Sequence, residues 1–238
     1  MKSARRPALA PTEVVELAIT IADREGLAAV SMRRLAREFS VTPMALYWHF
    51  DNKDRLLDAM AESVVAGNDF DALPDEGWEQ RMRAVLESFV EMLRCHPWMG
   101  RVTIERLVPL PSYLAALEVL LDTTRRAGLD TVTGTMLVQH AVQSIVTMVE
   151  NEPPPPPRPG TAADPECVSR QDFLRNLSVE KFPNLAASAM SRTMSDKPQD
   201  YYAVGLAMII GGIRSIAAAA DTGSGSHPTS PGMPHPDQ

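Results

Sequence analysis

Residues 42 to 53 hold the side chains best suited to chemistry, and that chemistry is recognition rather than bond-making. Thr42 carries a hydroxyl that can hydrogen-bond a base edge, while Pro43, Met44 and Ala45 offer apolar surface that meets thymine methyl groups by contact. Arg33, a short distance upstream, is long enough to reach the O6/N7 pair of a guanine. Together these residues imply a half-site in double-stranded DNA that contains A·T pairs. Lys2, Arg5 and Arg6 either enter a minor groove or form a solvated tail, and the sequence leaves both open. Bond-making chemistry finds less support. Cys95 and His96 are chain neighbours that would point about 100° apart on a helix, and His140 with Glu150 is an acid–base pair with nothing else beside it. The chain contains no glycine-rich phosphate loop, nucleophile elbow or His-Glu-x-x-His zinc signature. The expectation is no enzyme, no metal and no cofactor, with a helical hydrolase as the rival class.

The elements that must position these residues are helical. Ser31 is a hydroxyl N-cap, and Met32, Leu35, Ala36 and Phe39 after it repeat at i, i+3, i+4, i+7, so one apolar stripe lies on a short helix. Arg33, Arg34 and Arg37 fall off that stripe. Ser40-Val41-Thr42-Pro43 breaks the period, with Thr42 as the next cap and Pro43 at the first helical position, where its missing N–H costs nothing. A second helix is predicted over Pro43 to Phe50. Two short helices joined by a tight turn is the arrangement that presents a recognition helix to the major groove. A preceding helix, Thr12 to about Glu25, stops at Gly26 and covers the other two with Val14, Leu17, Ala18 and Ile21.

The stretch Leu46-Tyr47-Trp48-His49-Phe50-Asp51-Asn52-Lys53, with Leu56-Leu57 beyond it, resembles the tetracycline-repressor (TetR) family of dimeric, ligand-responsive transcription regulators. The likeness is close from Leu46 to Met60 and looser over Thr12 to Phe39. Past Gly67 it is weaker. There the Trp78 helix, the Cys95-His96 turn, the long helix ending at Glu150 and Phe182-Pro183 look like the subgroup nearest the tetracycline repressor. The resemblance implies that Tyr47, His49 and Lys53 lie at or near phosphates, and that the chain is a homodimeric repressor of a palindromic operator released by a small-molecule effector. Activation by the same fold is the alternative. Trp48 and Phe50 are read as core. Aligning on the Cys95-His96 turn puts Thr103 where the tetracycline repressor has a magnesium-ligating histidine. Thr103 is a poor metal ligand, and Glu150, which matches a ligand-site carboxylate, cannot hold a metal alone. The resemblance therefore points to an effector other than tetracycline–magnesium, sizeable and partly apolar.

Composition and patterning set the frame for the rest of the 238 residues. The expected fold is all-α, a helix-turn-helix domain with its linking helix over 1–67, a helical ligand-binding and dimerisation domain over 68–220, and a disordered tail over 221–238. Charges balance within the first 67 residues, so the net −7 of the chain lies beyond them. Cys95 and Cys167 form no CxxC pair, which fits free thiols in a reducing compartment. No apolar leader follows the basic N-terminus, and the cytoplasm is expected. Two segments, Thr131 to Val149 and Tyr201 to Ala220, are apolar enough to suggest membrane helices. The polar residues of the first (Gln139, His140, Gln143, Ser144, Thr147) would be costly in lipid. Its apolar face, with Val138, Val142, Ile145 and Val149, suits a subunit interface and its polar face a ligand cavity. The second segment, rich in Gly and Ala, suits close helix packing, and the resemblance puts both in a four-helix dimer interface. Candidate effector contacts are Phe89, Met92, Trp98, Met99, Thr103, Arg106, His140, Gln143, Thr147 and Glu150, because Met and aromatic groups adapt to apolar surface while His, Gln and Glu fix orientation. The proline run from Pro153 to Pro157 cannot be helical and reads as a connector.

Overall fold

The computed structural model describes residues 9–70, 72–106, 110–153, 173, 176–191 and 198–223. The basic arm Lys2, Arg5 and Arg6, most of the proline run, Cys167 and nearly all of the tail (His227 and His235 included) lie outside the described residues. Within them the regular elements are all helical, as the sequence patterning requires: α1 (Pro11–Glu25), α2 (Met32–Glu38), α3 (Pro43–Tyr47), α4 (Lys53–Ala66), α5 (Trp78–Cys95), α6 (Trp98–Arg106), α7 (Pro111–Arg126), α8 (Thr131–Glu150), α9 (Pro183–Ser191) and α10 (Pro198–Gly223). The described residues fall into two compact units, one of 9–150 with 208–223 and one of 151–207.

Caps fix the short helices of the first unit. Ser31 Oγ accepts the Arg34 N–H at 3.3 Å to start α2, and Asn52 Oδ1 accepts the Arg55 N–H at 2.9 Å to start α4. Gly26 ends α1 at φ 81°, a left-handed conformation that suits glycine. The turn between α2 and α3 contains Ser40, also left-handed. Behind these ends Val14, Leu35, Leu46, Leu56 and Met60 are fully buried and join α1 to α4 into one small core.

Two expectations need correction. α3 stops at Tyr47 instead of running to Phe50. Trp48, read as core, is 84% exposed, whereas Phe50 is buried. The reason is phase: Phe50 lies four residues after buried Leu46, while Trp48 lies four after exposed Met44, so it falls on the outer side.

In the rest of this unit α5, α7 and α8 pack against one another, α7 also packs on α4, and α6 packs on α5 and α8. α7 and α8 approach so closely at Gly134 that a Cβ there would sit 2.6 Å from Thr124 Oγ1. α8 shows a third departure from expectation. Val138, Val142 and Ile145, read as a face for a subunit interface, are buried inside the chain, while Gln139, His140, Gln143 and Thr147 are exposed. Hydroxyls on that outer face satisfy themselves: Ser144 donates to the His140 carbonyl at 2.7 Å and Thr147 to that of Gln143 at 3.0 Å. α10 contains a stretch, Gln199–Thr222, long and apolar enough to cross a membrane. Its Ile210, Ile213 and Ala217 are nevertheless buried, and its Arg214 forms a bidentate pair with Glu79 of α5. In the unit of 151–207, Tyr202 donates to Glu152 at 2.7 Å.

Candidate functional site

Two sites emerge within the first unit, a surface around α3 and a cavity among α6, α7 and α8. At the surface, Thr42, Pro43, Met44, Tyr47, Trp48, His49 and Lys53 are all exposed, and Ala45 is half-buried. Pro43 at the first helical position needs no hydrogen bond, and Thr42 makes no side-chain cap bond to α3. The apolar residues Met44 and Trp48 stand 64% and 84% exposed on a domain whose core is otherwise well filled, the kind of exposure that marks a contact surface. Arg33 and Arg37 of α2 are exposed, whereas Arg34 is committed: its guanidinium makes two 2.6 Å bonds to Glu25 of α1. That pairing holds the Glu25 carboxyl below its ordinary value and raises Arg34 above its own. The three arginines that look alike in sequence thus divide into a strut and two outward side chains. Trp48 belongs with this surface and was missed by the core reading; its i+4 relation to Met44 was the available signal.

The cavity, of about 210 Å³, is lined by Thr103 of α6, by Tyr113, Leu117 and Leu121 of α7, and by Thr135, Val138, Gln139, Val142 and Gln143 of α8. Apolar walls carry a few amide and hydroxyl groups, the make-up of a small-molecule site. Burial pushes the Tyr113 phenol up, so it remains a neutral hydroxyl there. The Thr135 hydroxyl is already spent on the Thr131 carbonyl at 2.7 Å, which leaves the amides of Gln139 and Gln143 as the cavity's main polar groups on α8.

Of the ten candidate effector contacts, the structure brings Thr103 and Gln143 onto this wall. Phe89 lies behind it, its ring centroid 5.4 Å from that of Phe70 and 6.4 Å from that of Tyr113. Met99 is buried in the core, and Trp98 is buried with its indole N–H donating to Asp23 Oδ1 of α1 at 2.8 Å. Met92 lines a separate cleft between α1, α4 and α5. His140, Thr147 and Glu150 are exposed on α8, and the Arg106 side chain lies outside the described residues. Sequence reasoning missed the whole contribution of α7, although Tyr113, Leu117 and Leu121 repeat at i, i+4, i+8. Cys95 is exposed, and partial burial together with neighbouring Glu91 keeps its thiol protonated, which argues against a nucleophile.

Comparison with known proteins agrees with this geometry. Residues 14–60 match the model of bacterial regulatory proteins of the tetR family, and residues 71–217 match that of the tetracyclin repressor-like C-terminal domain. The chain is 37% identical over 125 residues to the HTH-type transcriptional repressor DrrR1 of Streptomyces coeruleorubidus, a match spanning 52% of this chain and 46% of that protein. It is 26% identical over 208 residues to the class C tetracycline repressor protein of Escherichia coli, covering 85% of this chain and 90% of the repressor. Apo ActR from Streptomyces coelicolor superposes with a TM-score of 0.75 at 27% identity over 91% of this chain and all of that one. ActR in complex with actinorhodin superposes at 0.67, with 28% identity, over 88% and 98% of the two chains.

Proposed function

From the premise that this chain belongs to the tetR family of bacterial regulators, with a tetracycline-repressor-like C-terminal domain, we propose that it is a repressor whose DNA affinity falls when a small molecule fills the α6–α8 cavity. The observation that carries the reading is the outward row on and beside α3: Thr42, Pro43, Met44, Tyr47, Trp48, His49 and Lys53, held by a core with no comparable exposure behind it. Thr42 and the apolar trio Pro43, Met44 and Ala45 meet base edges, Arg33 reaches a guanine from α2, and Tyr47, His49 and Lys53 meet phosphates.

The operating form is a homodimer on a palindromic operator, with recognition helices in major grooves about 34–36 Å apart. Exposed apolar residues support a second copy: Val132 and Met136 on α8, and Met208 and Ile216 on α10. α10 is thus a packed helix of a soluble, cytoplasmic protein rather than a membrane span. The domain division is that read from the sequence, with reading over 1–67, binding and dimerisation over 68–220 and a tail beyond. As ActR binds actinorhodin and DrrR1 is a repressor, an organic effector is the natural extension to this cavity, with Gln139 and Gln143 orienting it. Coupling of about 1–3 kcal/mol between the sites would weaken operator binding some 5- to 150-fold.

A mobility-shift assay on DNA flanking the protein's own gene tests this, with wild type beside Tyr47→Ala and Lys53→Ala. Specific, salt-sensitive binding lost in both variants is the expected outcome. Binding that both variants retain would refute the assignment of this surface.

A further inference from the structure

The α6–α8 cavity sorts its lining by position on α8. Val138 and Val142 are buried, whereas Thr135, Gln139 and Gln143 are exposed and follow one another at four-residue intervals. That spacing stacks the three on one side of the helix, with the two amides a single turn apart. The depth of the cavity is therefore apolar, completed by Leu117 and Leu121 of α7, and its rim is polar. Tyr113 adds an aromatic wall, its ring set edge to face against Phe89 with centroids 6.4 Å apart and planes at 84°.

None of the described lining residues carries a formal charge. The charged groups of the same helices are placed elsewhere: Glu118 and His140 are exposed outside the lining, and Asp122 accepts from Arg125 at 2.6 Å. Tyr113 reports on the interior. Burial alone raises its phenol, whereas a cation beside it would lower it. An ion brought against this wall would lose water and gain no countercharge. A glutamine amide, by contrast, both accepts through its carbonyl and donates through its NH2, so it satisfies a neutral carbonyl, amide or hydroxyl. Two such amides a turn apart match a polar edge that itself holds a donor and an acceptor. Volume limits the rest of the molecule: about 210 Å³ lies below the ~300–1,000 Å³ of drug-sized ligand pockets.

We propose that the effector is an uncharged, compact aromatic molecule whose one polar edge, with both a donor and an acceptor, lies against Gln139 and Gln143 while its rings enter between Tyr113 and the α8 valines. This rests on the reading of the cavity as the effector site and adds the class of ligand, compact where the resemblance implied a sizeable one. Aromatic amides, lactams and hydroxyketones fit. Carboxylates, phosphates and ammonium compounds do not, since each would leave a charge unpaired against an apolar wall.

Three probes that share one ring system separate charge from shape: 2-naphthamide, 2-naphthoate and 2-naphthylmethylammonium, titrated near neutral pH into the full chain by isothermal calorimetry. The amide is expected to bind, and each charged probe to bind about tenfold or more weakly. Gln143→Glu replaces the amide by a carboxylate of the same shape and should reverse the order, raising affinity for the ammonium probe about tenfold and lowering it for naphthamide. Gln139→Glu, one turn away, repeats the reversal should Gln143→Glu melt early. His140→Glu adds the same charge next to the lining but outside it, and should alter no affinity by more than about twofold.

A charged probe that binds wild type as tightly as the amide overturns the proposal, as does the absence of binding by all three. An order that neither glutamate variant changes, or one that His140→Glu reverses equally, also overturns it, because the amide row would then not set the preference. The effector reading is scored separately, by operator affinity at saturating naphthamide. Operator binding that stays unchanged while the charge order holds removes the regulatory role of the cavity and leaves its ligand class in place.

Discussion

The reading surface and the cavity are built in opposite ways. The first takes its outward side chains from one short stretch, 42–53, backed by fully buried Leu35, Leu46 and Leu56. The second gathers Thr103, Leu117, Leu121, Val138 and Gln143 from three helices, and most of its α7 side chains are only half-buried. A surface that meets a rigid double helix from outside gains from a fixed support. A cavity that must admit a molecule needs walls that are incompletely filled, since densely packed interiors yield only at a cost in lost contacts. Packing density thus separates the filled support behind α3 from the looser walls of the cavity.

One deletion made in both places tests that contrast most strongly. Leu46→Ala opens a void in a filled core and should cost about 2–5 kcal/mol, read by denaturant unfolding. Leu117→Ala enlarges space already present and should cost about 1 kcal/mol or less; a loss as large as at Leu46 would break the comparison. Gly134→Ala sharpens it by probing the tight edge of the cavity's α7–α8 wall. The added methyl would collide with a Thr124 hydroxyl bonded to the Leu121 carbonyl, for an expected loss of about 1–3 kcal/mol in the same measurement. Removing a cap should matter less. Asn52→Ala deletes the acceptor of the Arg55 N–H and should cost about 1 kcal/mol.

The smallest effect is electrostatic. Arg34 beside Glu25 and Arg214 beside Glu79 hold both carboxyls low, and the Thr133 hydroxyl and N–H do the same for Asp130 at the start of α8. A carboxyl whose folded pKa is depressed stabilises the fold above its unfolded value, and that contribution is lost as pH falls through the folded value. Melting temperature should therefore be flat near neutrality and fall below the ordinary carboxylate range, slightly, because these groups are exposed to solvent. Glu79→Gln should flatten the fall; an unchanged profile would show that the pair contributes nothing.

The same contrast explains what the sequence made legible. Caps at Ser31 and Asn52, the stop at Gly26 and Pro43 at the start of α3 act within four residues, so the reading half could be laid out from local rules, with Trp48 lost to an error of phase. The faces of α8 could not, because Val138, Val142 and Ile145 suit a subunit interface as well as the chain's own interior. Only packing against α5 and α7 decides between them. The α7 contribution to the cavity and the Asp23–Trp98 bond, 75 residues apart in sequence, are likewise products of tertiary assembly.

α3 has five residues, far fewer than the ~12–15 at which a helix in water becomes even marginal on its own. Its shape is therefore borrowed from the folded unit around it, and no remnant of the α3 surface outlives that unit's cooperative unfolding. Operator occupancy should track the melting of the compact unit that holds α3, which would make heat an inducer in its own right, independent of anything in the cavity.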